Sequence, residues 1–232
     1  MRAQEIIAAA SERGLAALDE RAGKALLAEY GVAVPRSIVV PGAVEAASAA
    51  ELRFPVVVKV MSPDILHKSD AGGVCVGLGT ATEVEQAIRD MMRTPTIAAA
   101  RVEGFLVEEM APQGQEIVVG AVRDPHFGPL LMVGLGGVFV EILADVSFRI
   151  CPISRIDAEE MLDELKGAAL LRGARGRKPA DRAAIIDVLL KMGGQDGLLM
   201  THADHIAEAD INPVIVSEHG AVAVDARFVL AK

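Results

Sequence analysis

Aromatic residues are scarce in this 232-residue chain: tryptophan is absent, tyrosine occurs once and phenylalanine six times. With a formal net charge of −9, that scarcity leaves neither a basic groove nor a stacking platform, so no nucleic-acid partner is expected. Although 52% of the residues are hydrophobic, no apolar run approaches the roughly 18 residues of a membrane helix, and no membrane association is expected. The first residues, MRAQEIIAAASERG, carry acids and lack the apolar core of a secretory leader, which makes the cytoplasm the expected compartment. The two cysteines, Cys75 and Cys151, lie in apolar stretches without CxxC spacing and read as buried thiols of a reducing compartment.

Several chemical fingerprints are missing too. GxxxxGK[ST] does not occur, so this is not a P-loop. GLGG at 134–137 is not GxGxxG and leads into a strand-like run, which excludes a Rossmann fingerprint. There is no GxSxG elbow. His202 and His205 have a spacing that suits one helix face, but no third soft ligand is placed to complete a zinc site.

What is present centres on residues 54–78, FPVVVKVMSPDILHKSDAGGVCVGL. The stretch predicts two strands, 55–61 and 73–78, joined by a polar loop with His67, Lys68, Ser69 and Asp70. Its continuous β-branched runs suggest strands buried on both faces. Lys59 lies inside VVVKV, where an ammonium group is buried only with an anion or hydrogen-bond partner. A phosphate is one such anion; snorkelling from an edge strand is the alternative. Gly72-Gly73 lets the backbone approach a ligand and aim N–H groups at phosphate oxygens, though a Gly pair also makes an ordinary tight turn.

The remaining pattern mixes helices and strands. An alanine-rich helix over the first ~14 residues precedes a second helix capped by Asp19, with Ala22, Leu26 and Tyr30 at helical spacing and Gly31 at its end. A strand at 34–40 and an alanine-rich helix to about Leu52 follow. Thr82 and Glu85 form a capping-box pattern ahead of an apolar face made by Val84, Ile88, Met91 and Met92. Residues 94–103 read as a connector, and strand signals recur at 105–110, 116–123, 129–133 and 138–143. Asp157 and Glu160 suggest another capping box, 173–178 is a basic loop, and Pro179 suits the first turn of a helix to about Met192. Strands at 206–211, 214–216 and 222–224 end the chain.

Acids punctuate these apolar strands. Glu108 and Glu109 follow FLV, Glu116 precedes IVVG, and Asp210, Asn212 and Asp225 lie near the end. Alternation puts Asp210 and Asn212 on one strand face, a hard-oxygen pair that Mg²⁺ accepts, while Asn212-Pro213 is also an ordinary turn signal.

PVVVKVMSPDILHKSDAGGVCVGL closely resembles the nucleotide-binding subunit of NDP-forming acyl-CoA synthetases, ATP-grasp proteins related to succinyl-CoA synthetase. The likeness continues in GFLVEEMAPQGQEIVVGAVRDPHFGPLLMVGLGGVFVEILADVSFRICPI and closes with EADINPV and AVAVDAR, covering nearly everything from about Asp19 onward. It implies an α+β ATP-grasp fold: two α/β subdomains with ATP or ADP held between them, at 19–107 and 108–232, after an N-terminal helical segment, 1–18.

The resemblance also implies roles. Lys59 matches the lysine on the nucleotide phosphates, and Gly72 and Gly73 match the loop that covers them. Glu108, Glu109 and Met110 match the hinge that holds adenine, with the adenine-facing glutamate left open, and Glu116 matches the acid near ribose. Asp210, Asn212 and Asp225 match the Mg²⁺ ligands, Asp210 standing where family members often carry Glu. His67 matches a phosphohistidine site that relays phosphoryl between a companion subunit's mobile histidine and ADP; its alternative is a histidine bonded to phosphate or Asp64. A neutral imidazole suits that nucleophilic role near pH 7. The implied reaction interconverts carboxylate, CoA and ATP with acyl-CoA, ADP and phosphate. CoA and the carboxylate would bind through a separate companion subunit in a hetero-oligomer. A noncatalytic nucleotide-sensing module and a stand-alone ATP-grasp ligase are the alternatives.

Overall fold

The computed structural model describes residues 2–65, 68–137, 144–173 and 178–231. His67, the expected strand 138–143 and residues 174–177 of the basic loop lie outside the described residues. In chain order the elements are α1 (Ala3–Glu12), β1 (Ala17–Leu18), α2 (Glu20–Glu29), β2 (Ser37–Val40), a 3₁₀-helix (Ala43–Glu51), β3 (Val56–Met61), β4 (Val74–Leu78), α3 (Ala81–Arg93), α4 (Pro95–Ala98), β5 (Gly104–Glu109), β6 (Gln115–Asp124), β7 (Gly128–Leu135), β8 (Val146–Ile150), α5 (Arg155–Glu164), α6 (Ala168–Leu171), α7 (Arg182–Gly193), α8 (Leu198–Thr201), β9 (Ile206–Ser217), β10 (Gly220–Ala223) and β11 (Arg227–Leu230). No helix among the described residues is long and apolar enough to cross a membrane.

These elements form two compact units, one of Pro35–Ala111 and one of Met1–Val34 with Pro112–Lys232. The division differs from one at 18 and 107 because the N-terminal segment clusters with the C-terminal part. Its β1 adds to the sheet there, with Ala17 opposite Val229 and Leu18 opposite Phe228.

In the middle unit, four antiparallel strands run in the order β2-β5-β3-β4. Val56, Val58 and Val60 alternate toward one side, where they meet Phe105 and Val107 and the helical residues Ala46, Ala49, Val84, Ile88 and Met91. Alternation with period two in β3 and period 3.6 in α3 therefore meets across one core. The predicted hairpin is present, but β4 is an edge strand whose Val76 is 64% exposed, because no further strand pairs beyond it among the described residues. The capping site of α3 is also two residues earlier than Thr82. Thr80 Oγ1 accepts the Glu83 N–H, and Glu83 returns the contact to the Gly79 N–H. Met92, expected inside, is exposed.

The flanking unit is built on a seven-stranded sheet among the described residues, ordered β1-β11-β9-β6-β7-β8, with β10 paired to β9. Ile117, Val119, Leu131, Val133, Ile211 and Phe228 pack with helical Met161, Leu162, Ile185, Leu189 and Met192 in one core. Helix α2 starts at the expected cap, where Asp19 accepts the Ala22 N–H at 2.8 Å. Leu26 is buried as expected and Ala22 and Tyr30 pack partly buried against the same core, but the buried stripe also takes in Glu20, Gly23, Lys24 and Leu27. Charged side chains had hidden that stripe. Helix α5 is capped by Ser154 with Asp157, one helical turn before the expected Asp157–Glu160 pair. The cap of α7 is Asp181, whose carboxylate accepts the Ala184 N–H. The two terminal strands expected at 206–211 and 214–216 are one strand, β9. It continues through Pro213 because its pairing with β6 shifts register between Ile117 and Val119, which absorbs a residue without an N–H. Neither cysteine is in a disulfide; Cys151 is buried, with its thiol pushed up to about 11 by desolvation, while Cys75 is only half-buried.

Helix α5 is tied to β8 by an ion cluster. Arg149 Nη2 lies 2.6 Å from Glu164 Oε1 and 3.4 Å from Glu160 Oε2, and Ser147 Oγ donates to Glu164 Oε2. Hydrogen bonds from Arg149 and then Ser147 hold the Glu164 carboxyl at about 2, below its ordinary 4.5. A depressed folded-state value stabilises above about pH 4.5 and is lost as pH falls toward about 2. Replacing Glu164 with Gln should lower the melting temperature at pH 7 and shrink its fall between about pH 5 and 3, measured by calorimetry across that range. An unchanged slope would show that the cluster does not contribute.

Candidate functional site

In the middle unit the register sets Val57 opposite Glu108 and Lys59 opposite Leu106, so these four residues share the sheet side turned away from the helix-packed core. Lys59 is 9% exposed and Glu108 fully buried. Lys59 Nζ lies 3.0 Å from Glu108 Oε2. The lysine is therefore a buried, ion-paired group rather than a snorkelling edge residue, in keeping with the partner that desolvation requires. Strand β3 is central, between β5 and β4.

The two hinge glutamates face opposite ways. Glu109 stands across from Val56, on the side of the apolar core, and its Oε1 accepts the Arg53 N–H at 2.9 Å. Only Glu108 shares the Lys59 side. Met110 follows, exposed, with its N–H donated to Pro55 O at 3.2 Å.

Gly72 and Gly73 close a turn in this state. Gly72 donates its N–H to Ser69 O at 3.1 Å and Gly73 to Lys68 O at 2.7 Å, so neither amide points at open space. Both positions demand glycine for steric reasons. Gly72 has φ of +72°, and a β-carbon on Gly73 would collide with Val60. Asp64, one expected rival partner for His67, has Oδ2 engaged by the Arg101 N–H at 2.8 Å.

In the flanking unit, Glu116, Asp210 and Asn212 are exposed, while their neighbours Ile117, Ala209 and Ile211 turn toward the helices. These three groups therefore share the sheet face opposite the core. Gly136 crosses the Glu116 backbone, donating its N–H to Glu116 O at 2.9 Å; a β-carbon on Gly136 would lie 2.8 Å from Glu116 Cβ. The GLGG stretch is thus a packing feature beside Glu116. Asp210 is opposite Gly120 on β6 and Arg227 on β11. Asp225 follows β10, and its Oδ1 accepts the Ala226 N–H. The adjacent Val224 N–H donates to Pro213 O at 3.1 Å, which brings the Asp225 segment beside Asn212.

Asp210 and Asp225 sense one another. Desolvation raises the Asp210 carboxyl above its ordinary range, the charge of Asp225 adds to the rise, and Arg227 opposes it. Two carboxylates that repel, on a strand and a segment that adjoin Asn212, are oxygen donors of the chemistry Mg²⁺ takes. Among the described residues no three His, Cys, Asp or Glu gather as a metal cluster, so such a site needs the Asn212 oxygen, and the His202–His205 pair gains no third ligand.

Sequence reasoning missed one constellation next to these acids. Lys24, 4% exposed, lies 2.7 Å from Glu20 Oε1 and donates to Val224 O at 3.3 Å. Its one legible signal is the i,i+4 spacing of Glu20 and Lys24 around Gly23.

This pairing of two sheet-bearing units, one with a buried lysine and one with carboxylates on an open sheet face, belongs to a known class. The profile of the ATP-grasp domain matches residues 9–230, and the chain belongs to that family. Within it, the chain is 42% identical to the β subunit of ADP-forming acetate–CoA ligase I of Pyrococcus furiosus, over 99% of this chain and 98% of that one. A solved structure of the dinucleotide-forming acetyl-coenzyme A synthetase 1 of Ca. Korarchaeum cryptofilum, in complex with coenzyme A, Ca-AMPCP and HgCl⁺, superimposes with a TM-score of 0.93. It is 42% identical, with 99% of this chain and 100% of that chain covered. A second structure of that enzyme, holding coenzyme A and Mg-AMPPCP with its phosphohistidine segment pointing towards the nucleotide binding site, gives a TM-score of 0.84 at 41% identity and the same coverage.

The Lys59–Glu108 contact predicts a strong asymmetry between single and double substitution. Lys59→Met removes the ammonium group beside a fully buried carboxylate and should cost about 3–5 kcal/mol in urea unfolding. Adding Glu108→Leu should restore most of that loss. A single substitution costing under about 1 kcal/mol would show that the pair is not desolvated in solution.

Proposed function

We propose that this chain is the nucleotide-binding β subunit of an ADP-forming acyl-CoA synthetase and carries the phosphoryl-transfer half of the reaction. The observation that supports this most strongly is the end-to-end likeness to a chain that is itself such a subunit, at 42% identity and 98% coverage of that chain. The ligase family interconverts carboxylate, CoA and ATP with acyl-CoA, ADP and phosphate. A companion subunit would bring CoA, the carboxylate and a mobile histidine.

In the middle unit Lys59 would meet the nucleotide phosphates, its charge already desolvated and held 3.0 Å from Glu108. Glu108, not Glu109, is then the hinge acid on the nucleotide side, because Glu109 faces the core and holds the Arg53 N–H. The Gly72 and Gly73 amides would have to leave Ser69 and Lys68 to cover a phosphate, so loop opening would accompany nucleotide binding. In the flanking unit Asp210, Asn212 and Asp225 would hold Mg²⁺, which supplies charge neutralisation at the phosphates when bound. Glu116 would accept from ribose.

His67 would take the phosphoryl group: a bond forms from an imidazole nitrogen to the γ-phosphorus as the bond to the bridging oxygen breaks and ADP leaves. The phosphohistidine then passes the group to the companion's mobile histidine, and the reverse sequence makes ATP.

Incubating the protein with Mg²⁺ and γ-labelled ATP, with and without a companion subunit, should place acid-labile label on His67 and none in His67→Ala. ATP binding without label, companion present, would end the relay reading. Lys59→Ala should weaken Mg-ATP binding in calorimetry by at least about tenfold; unchanged affinity would remove the phosphate role of Lys59.

A further inference from the structure

Resting on the reading of Asp225 as a metal ligand, we propose that Lys24 is the positioning residue for that carboxylate and that helix α2 is the jig that sets the metal site. The segment bearing Asp225 lies between two ladders of the sheet. The β10–β9 ladder stops at the Ala223–Val214 pair and the β11–β9 ladder begins at Arg227–Asp210, so residues 224–226 lie outside both. The backbone contacts on either side of Asp225 therefore set the direction of its side chain.

Two grips come from one turn of α2. Lys24 Nζ donates to Val224 O at 3.3 Å, while the Val224 N–H donates to Pro213 O at 3.1 Å. The backbone preceding Asp225 is thereby fixed on the N–H side of Val224 by the strand that bears Asn212 and on its carbonyl side by the helix. One residue beyond Asp225, a β-carbon on Gly23 would lie 2.7 Å from Ala226 O and 3.3 Å from Phe228 Cδ2, so the helix backbone presses directly on the segment. Asp225 is bracketed on both sides.

The ion pair explains how a lysine can do this. At 4% exposure its ammonium would pay a large desolvation cost, and Glu20, 8% exposed and 2.7 Å away, offsets it while fixing the direction of Nζ. An apolar side chain would fill the same space without directing a hydrogen bond at Val224 O. Groups that orient a metal's ligands in this way change metal affinity by about 10–100-fold when lost.

The test is Mn²⁺ affinity of the full chain in the presence of ADP, read by electron paramagnetic resonance, together with ADP affinity in EDTA and circular dichroism. The double variant Glu20→Gln with Lys24→Met, which buries no lone charge, should weaken Mn²⁺ binding about tenfold with metal-free ADP binding unchanged. Lys24→Arg, able to keep both contacts, should recover most of it. Gly23→Ala alters no charge and pushes on Ala226 O, and it should also weaken Mn²⁺ binding; it carries the test if the double variant does not fold. Asp225→Asn separates the two ideas. Loss of Mn²⁺ in Asp225→Asn, with the double variant and Gly23→Ala both within twofold of the native protein, overturns the positioning role and leaves the metal site standing. Unchanged Mn²⁺ affinity in Asp225→Asn overturns the metal-site reading and this inference with it.

Discussion

Strands β6 and β9 are the centre of a sheet whose helices pack on one face only, and that one-sidedness places the chemistry. Because side chains alternate, burying Ile117, Val119, Ala209 and Ile211 against the helices forces Glu116, Asp210 and Asn212 to the opposite face. A slip of one residue would bury three polar groups and expose four apolar ones, so register and site are specified by the same free energy. The register shift opposite Pro213 is compatible with this. It changes the pairing while Val214 and Val216 stay in the core, and it leaves Asn212 outward beside Asp210. The apolar pattern that folds the sheet therefore also aims the oxygens.

The middle unit solves a different problem. Its sheet carries Lys59 and Glu108 among apolar neighbours, where a charge is tolerated only with a partner. The pair is costly compared with two aliphatic residues of like size, so stability alone does not account for it. The ammonium group is already stripped of water and held 3.0 Å from the Glu108 carboxylate, so the desolvation cost of a charge at this position was met during folding. The opposite orientation of Glu109 fits the same logic, because on the core side a carboxylate is useful only for holding local backbone, as it does at Arg53.

Much of this was legible in the sequence, and the illegible parts share a cause. Lys59 inside VVVKV, the acids bordering apolar strands and the Asp19 cap were readable because one residue broke a strong local pattern. The α3 cap was placed at Thr82 with Glu85, although Thr80 with Glu83 offers the same spacing, and the helix uses that earlier pair. The β4 edge could not be read, since exposure of Val76 depends on which strand lies outside it. One continuous β9 was read as two strands because Pro213 is a turn signal in isolation, while the register shift that accommodates it exists only in the pairing with β6.

The deepest miss is the N-terminal segment, which reads as an appendage of 18 residues and a separate helix. Local propensity identifies α2, but periodicity counts Glu20 and Lys24 as solvated, so the apolar face is assigned to Ala22, Leu26 and Tyr30. The structure widens that face because Gly23 lets the helix approach Ala226 and the ion pair makes two charges acceptable in the stripe. The first condition is set about 200 residues further along the chain, as is the Val224 carbonyl that Lys24 meets. Closure of β1 on β11 brings those ends together, so the segment that begins the fold also fixes the loop bearing its last acid. That helix touches the chain on both sides of Asp225, through Lys24 at Val224 O and through Gly23 at Ala226 O.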